Sequence, residues 1–353
     1  MDLYVLNQNF EAIAVLDQFE SVLWADRYDA PGEFEIYTAV SETMLNYPVV
    51  NNYLRFSESD KLMIIEDIEI KTDIENGNKI KIVGRSLESI LDRRYIIGQL
   101  DVSGSLQDTV KSIINTNIIS PSDPDRQISN FIFKESTDES IVSLTYEDQF
   151  NGISVLEAIE KICQSADIGF KITLDNSKRF VMELYKGTDR SYSQNVLPFV
   201  VFRPSFDNII NSDYSENNSE AKTFCYVHSS YTATGSSTET EVVRTKGSGT
   251  GLLRKEVYVD SSITKDEDMS LEDYYAKLDQ DASASLSERK VKKTFEGECE
   301  THRTFKYNTD FFLGDVVQVA NDYGMETASR VGEFLWSIST SGVENYPKFT
   351  AIN

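Results

Sequence analysis

The stretch SVLWADRYDAPGEFEIY, residues 21–37, decides how this chain is read. Two strand-like runs flank Pro31-Gly32. Proline presets the φ of a turn and glycine accepts the conformations other residues avoid, so a β-hairpin is expected. Working outward, the runs at 12–17, 62–66 and 68–72 are short, apolar and bounded by turn residues. At 75–78 Glu-Asn-Gly-Asn joins KTDI to KIKIVG. Asn-Gly between alternating runs is a strong hairpin signal, because the tight turn needs positive φ. The first ~95 residues therefore read as β-rich.

After Gly84 the period changes from two to that of a helix. Leu87, Ile90 and Leu91 suit a short helix with Ser86 as its N-cap. Ser105 and Ser154 open two further helices, the second with Glu157 three residues on as capping partner. The hairpin GFKITLD-NSKR-FVMELYKG follows, so 96–190 reads as a small α+β domain. From 191 the chain is strand-like again. The segment 235–251 is dense in Gly, Ser and Thr and is expected as an exposed loop or long hairpin tip. A helical insertion is expected at about 262–290, with a helix opening at Ser270. Strands return in TFEGECETHRTF, DVVQVAND and EFLWSIST, giving a second β domain over 191–353. No short internal repeat is visible. The fold class is α+β, mostly β.

Composition narrows the function. The 353 residues carry 58 acidic against 34 basic side chains, a net charge of −24. That balance opposes gripping nucleic acid through its phosphates, yet suits a wall that DNA slides past without adhering. Cys163, Cys225 and Cys299 give no disulfide framework and no zinc spacing. No basic-then-apolar leader opens the chain and no run approaches a membrane span, so synthesis in a cytoplasm and no stable membrane insertion are expected.

Catalytic chemistry finds little support. His228 and His302 lie in polar contexts, and neither HExxH, GxSxG nor GxxxxGK[ST] occurs. The glycines of GSGTG at 247–251 fit a mobile hairpin tip better than a phosphate cradle. The acidic clusters around 123–125 and 266–268 lack the EF-hand pattern and read as solvated loops. No cofactor, no catalytic residue and no metal site is expected. Trp24, Phe34 and Trp336 are assigned to the core by default.

Taken together, several stretches resemble the siphophage tail-tip hub proteins, the N-terminal part of the tail-associated lysin type. That group includes the Gp37-like siphophage proteins and some labelled prophage tail endopeptidase, with relatives among the baseplate hubs of contractile tails. The similarity lies in the strand before WADRY, with Trp24, Arg27 and Tyr28, and in the turn and strand with Gly32 and Phe34. It continues through Gly84-Arg85-Ser86-Leu87, the Leu-x-x-Arg ending at Arg94, and Leu313-Gly314-Asp315-Val316-Val317. The resemblance implies a structural virion protein and no enzyme. It implies a homotrimer at the tail tip, with two β-barrel-like tube domains (1–95 and 191–353) per chain making a ring of six similar units. Implied partners are the distal tail ring, the tape-measure protein and a receptor-binding or other baseplate protein, with phage DNA passing through unbound during infection. A glycan-binding adhesin for host attachment, or a wall hydrolase, is the alternative. Because longer relatives continue into a lysin, peptidase or fibre, wall degradation is expected on another gene product.

In that setting the opening hairpin has two readings. It is buried inside one barrel, or it offers its free edge to a neighbouring copy with Arg27 meeting a carboxylate across the seam. The ten residues expected to serve packing or assembly are Trp24, Arg27, Tyr28, Gly32, Phe34, Gly84, Leu87, Arg94, Gly314 and Asp315. Inward side chains of the bore are expected to be mainly Asp, Glu, Ser, Thr and Asn.

Overall fold

The computed structural model describes residues 2–73, 77–209, 211–233, 237–266, 268–298 and 304–352. The N-terminal strands are β1 (Leu3–Leu6), β2 (Ala12–Leu16), β3 (Ser21–Arg27), β4 (Glu33–Ala39), β5 (Tyr53–Phe56), β6 (Leu62–Lys71) and β7 (Lys79–Ser86), with the short helix α1 (Glu42–Asn46). The runs read as two strands at 62–72 are one strand with a bulge between Ile65 and Asp67. Strands β6 and β7 pair as the Asn-Gly signal predicts, although residues 74–76 of the turn lie outside the described residues. Leu87–Arg93 is a 3₁₀ helix, and Ser86 does not cap it. Its hydroxyl instead accepts from Gly32 N–H at 2.7 Å, pinning the hairpin turn to β7.

The middle domain holds β8 (Gln99–Ser105), α2 (Leu106–Ile114), β9 (Phe131–Lys134), α3 (Glu139–Val142), β10 (Thr145–Asn151), α4 (Val155–Ala166), β11 (Gly169–Leu174) and β12 (Phe180–Tyr185). Ser105 and Ser154 cap α2 and α4 as expected. The apolar stripes of both helices meet Leu87, Ile90 and Leu91 in one buried cluster, which also takes in Ile64 of β6, so this core reaches into the segment first assigned to the N-terminal domain. Strands β8, β9 and β10 were not read from the sequence.

The C-terminal part comprises β13 (Val201–Phe202), β14 (Asn211–Asn217), β15 (Phe224–Thr232), β16 (Glu239–Gly247), β17 (Glu256–Asp260), α5 (Leu271–Glu288), β18 (Lys292–Glu298), β19 (Val316–Ala320), β20 (Glu326–Ser339) and β21 (Gly342–Ala351). The expected loop at 235–251 is corrected: most of it is β16, an edge strand beside β15. Its Thr- and Val-rich alternation suits a half-solvated strand, and Gly247, Gly249 and Gly251 at and after its end take positive φ. The inserted unit is thus larger than 262–290. Strands β15–β17 and α5 share a small core of their own around Val227, Tyr274 and Leu278. A hydrogen bond from Lys222 N–H to Arg289 C=O, 2.8 Å, closes its stem.

Both ends of the chain enter one sheet, ordered β14-β18-β21-β20-β3-β4-β7-β6-β5-β1-β2, with β19 and β13 branching from β20. One core of residues from both ends lies beneath it, from Leu3, Trp24 and Phe56 to Phe202, Phe295 and Phe349. Among the described residues no ladder closes either half into a barrel.

The halves nevertheless repeat one plan. In space the N-terminal four strands run β3-β4-β7-β6 and the C-terminal four run β14-β18-β21-β20. In chain order both are first, second, fourth, third. Each third strand carries a bulge, at Ile65/Asp67 and at Val331/Glu333. Each is entered from a short preceding strand, with Tyr53 opposite Ile64 and Val316 opposite Arg330. The turns before those short strands match atom for atom. Asn51 N–H donates to Ile65 C=O at 2.8 Å, and Ile65 N–H to Asn52 C=O at 2.9 Å. Gly314 N–H donates to Val331 C=O at 2.8 Å, and Val331 N–H to Asp315 C=O at 2.9 Å. Asn51 and Gly314 both have positive φ, 72° and 87°, a conformation Gly and Asn tolerate best.

Candidate functional site

Of the two readings of the opening hairpin, the one that leaves a free edge on β3 does not hold: β3 pairs along its length with β20 of the same chain. Trp24 stands opposite Trp336, and both are buried, at 0% and 3% exposure. Trp24 packs on Phe34 and Phe56, and its indole N–H donates to Asp26 at 3.1 Å. Arg27 does meet carboxylates across a seam, but the seam joins the two ends of one chain. Its Nε donates to Glu333 at 2.7 Å, and it also pairs with Glu33.

Around this seam one face of the sheet is sealed by the core and the other stands open. Alternation puts Leu23, Ala25, Glu35, Val83 and Leu335 on the open side, around an open depression of about 470 Å³. The cations there are tied to carboxylates: Lys348 to Glu333 at 3.0 Å, Arg85 to Glu66 at 2.8 Å, Lys81 to Glu35 at 2.7 Å, Lys71 to Glu69 at 3.2 Å and Lys79 to Glu20. The face is a lattice of mixed, mutually neutralised charge, not a basic track.

A second convergence fixes the domains around Tyr28. Its hydroxyl donates to Tyr185 C=O at 3.3 Å and its ring stacks edge-on against Tyr185. Phe170 N–H of the middle domain donates to its carbonyl at 3.2 Å. A Cβ on Gly314 would fall 2.2 Å from the Tyr28 ring, and one on Gly169 2.4 Å, which explains glycine at both places. Asp315 is buried and acts as a clamp, accepting from Thr188 N–H at 2.7 Å, Arg190 Nε at 2.8 Å and Phe312 N–H at 3.1 Å. Gly32 and Gly84 likewise leave room for backbone. Their Cβ atoms would lie 2.4 Å from Ala25 O and 1.8 Å from Ile64 O. Leu87 belongs to the middle core, and Arg94 donates to Arg126 C=O at 2.7 Å. The ten residues therefore do not form one site: eight frame the seam and the Tyr28 junction, and two serve the middle domain.

Sequence reasoning missed a buried ionic group under that junction. Lys61 pairs with Glu88, whose Oε1 also accepts from Ile172 N–H of β11 at 3.2 Å. Asp26, 1% exposed, accepts from Ser59 at 2.8 Å and from Trp24. Burial pushes the Asp26 carboxyl up to about 7, against the opposing pull of Lys61 and its hydrogen bonds. A carboxyl with a raised folded-state pKa holds its proton better folded than unfolded. Its contribution is thus complete at low pH and lost as pH climbs from about 4 through about 7. Each tenfold change in proton affinity is worth about 1.4 kcal/mol, so the loss is on the order of a few kcal/mol. Asp26→Asn should remove that slope from urea-unfolding free energies measured between pH 4 and 8; an unchanged slope would assign it to other groups.

The residues with chemical potential are scattered. His228 Nδ1 lies 2.9 Å from Asp260 on the exposed inserted unit. Cys163 and Cys225 are buried, while Cys299 and His302 lie outside the described residues. GSGTG links β16 to β17 and opens no helix of useful length. Asp123 accepts from Asp125 N–H, a turn contact; of the 266–268 group, Glu267 lies outside the described residues. Among the described residues no group of His, Cys, Asp and Glu is placed to hold a metal, and no helix is long and apolar enough to cross a membrane.

A family described as siphovirus ReqiPepy6 Gp37-like protein matches residues 2–346. The chain belongs to the siphovirus ReqiPepy6 Gp37-like family. Solved structures place the Gp37-like fold among phage tail proteins. The 43 kDa tail protein of prophage MuSo2 from Shewanella oneidensis aligns with TM-score 0.60 at 10% identity, covering 99% of this chain and 98% of that one. The tail protein from Neisseria meningitidis MC58 aligns with TM-score 0.58 at 13% identity, over 99% and 96%. Prophage tail protein gp18 from Listeria monocytogenes EGD-e aligns with TM-score 0.55 at 11% identity, over 99% and 94%. At such identities the shared property is the fold. No curated protein matches the sequence. The mostly β, α+β architecture read from the sequence is the one this Gp37-like chain has.

Proposed function

We propose that this chain is a structural hub of a phage tail tip or baseplate, three copies of which stand around a channel. The observation that carries the reading is the internal repeat. Two four-strand blocks of one topology, already joined edge to edge at β3–β20, supply two of six similar units. Three chains would bring 24 strands around one axis. At about 4.8 Å between strands, tilted as barrel strands are, that sheet encloses a backbone diameter on the order of 40–50 Å. Side chains leave a bore wide enough for a DNA duplex.

The charge pattern supports DNA passage without adhesion. DNA-gripping proteins present unpaired Lys and Arg that displace counterions from phosphates. Here Arg27, Lys81, Arg85 and Lys348, the cations described around the depression, are each held by a carboxylate, and the chain carries −24 overall. A distal tail ring above, a tape-measure protein within and a receptor-binding or other baseplate protein beside the hub are the partners this role requires. The contribution is mechanical: the hub frames the channel and yields when DNA leaves. Light scattering on the purified chain should give three times its 40.0 kDa mass. A single-chain mass at every concentration tested, alone and with the distal tail protein, would sink the ring.

A further inference from the structure

The repeat says how one copy should meet the next. We infer that the distal half of β6, residues 67–71, pairs antiparallel with β14 of a second copy of this chain, with Ile70 opposite Tyr214 and Lys71 opposite Asp213. The inference rests on the ring reading above and specifies its contact. Register transfers from one half of the chain to the other. The first half of β20 pairs with β19, and past its bulge the second half pairs with β3. The first half of β6 pairs with β5 in the same way. Past its bulge β6 pairs with β7 on one side, and among the described residues no ladder occupies the other. The position that β3 fills beside β20 is therefore open beside β6.

The strand equivalent to β3 is β14, also paired on one side only among the described residues. Counting through the ladders, Phe34 opposes Trp24 and Phe295 opposes Tyr214. Gly84 opposes both Phe34 and Ile65, while Phe349 opposes both Phe295 and Val331. Tyr214 thus stands where Trp24 stands, and from the bulges onward Ile70 stands where Trp336 stands. A side-chain detail agrees. Trp24 donates to the acid two residues on, Asp26, at 3.1 Å; Tyr214 donates to the acid two residues on, Glu216, at 3.1 Å.

Exposure and charge point to the same contact. Ile70 projects to the core side of the sheet yet is 52% exposed, whereas its counterpart Trp336, whose strand is paired with β3 on that side, is 3% exposed. An apolar side chain at an unpaired edge is what a partner strand covers. In the inferred register Asp67 meets Asn217, Glu69 meets Ser215 and Lys71 meets Asp213, so no like charges oppose. Slipping by two residues either way sets Asp213 against Glu69 or against Asp73, which cross-strand repulsion disfavours. A head-to-tail contact between two different edges closes into a ring when its rotation permits.

The test uses the full chain carrying Cys299→Ser, which leaves Cys163 and Cys225, both buried, as the native thiols. The double variant Ile70→Cys with Tyr214→Cys, oxidised and run without reductant, should migrate mainly as a covalent three-chain species, while each single variant stays one chain wide. In parallel, Lys71→Glu or Asp213→Lys should raise the concentration for half-assembly at least about threefold. The charge-swapped pair should restore it. Particles of trimer mass that neither cross-link nor respond to charge reversal would overturn this seam and leave the ring standing. A wild-type chain that remains single would remove both.

Discussion

Lys61→Met should lower the stability of this protein by about 3–5 kcal/mol at neutral pH, measured by urea unfolding. Lys61 and Glu88 are both buried, and Asp26 is buried close enough to feel the charge of both. Removing the ammonium leaves the Glu88 carboxylate without a counter-charge and with Oε2 already lacking a hydrogen-bond partner. A buried charge stripped of its partner is among the most damaging changes a core can suffer. The size of methionine keeps the packing volume, so the loss reads charge and not a cavity. The deficit should shrink as the pH is lowered and Asp26 takes up its proton. A loss under about 1 kcal/mol would mean that the group is hydrated and that the junction is not held as described.

Trp24→Ala should cost a comparable amount, about 3–5 kcal/mol, as expected for truncating a fully buried large aromatic. Trp24 contacts Phe34 and Phe56 within its own block and faces Trp336 across the seam. It also gives Asp26 one of its few hydrogen bonds. Arg27→Glu makes a useful contrast. Arg27 is partly solvated, and its reversal faces Glu33 and Glu333 with a third carboxylate, for a loss of about 1–2 kcal/mol. Both effects should appear in the unfolding of the chain itself and not first in its assembly, because the seam is internal. Wild-type stability for Trp24→Ala would contradict the shared core.

These two sites also show what the sequence could and could not disclose. The hairpin at 21–37 was legible because its turn chemistry and alternation are local. So were the serine caps at 105, 154 and 270, each of which closes on the N–H three residues on. What the hairpin's outer edge would meet was not legible, since β20 lies about 300 residues away and no local pattern encodes that pairing. The repeat stayed hidden for a related reason. Equivalent positions carry Trp24 and Tyr214, Gly84 and Phe349, or Ile65 and Val331. Such sets preserve a buried or extended site while erasing identity. The strand at 239–247 reads as part of a loop or hairpin tip because the Gly, Ser and Thr density of 235–251 weighs toward turns, although one strand runs through it. The Lys61–Glu88 pair spans 27 residues and carries no motif. Gly314 and Asp315 were found through resemblance, and their reason is now physical: one makes room for Tyr28 and the other binds three donors.

That the two halves of the sheet are equivalent units of a ring is tested most directly by electron cryomicroscopy of the purified protein. The expected image is a three-fold particle in which 24 strands surround a DNA-wide opening, with six near-equal units and the β3–β20 seam alternating with seams between chains. A particle without a three-fold axis, or one whose two halves stand at unequal distances from it, would contradict that equivalence.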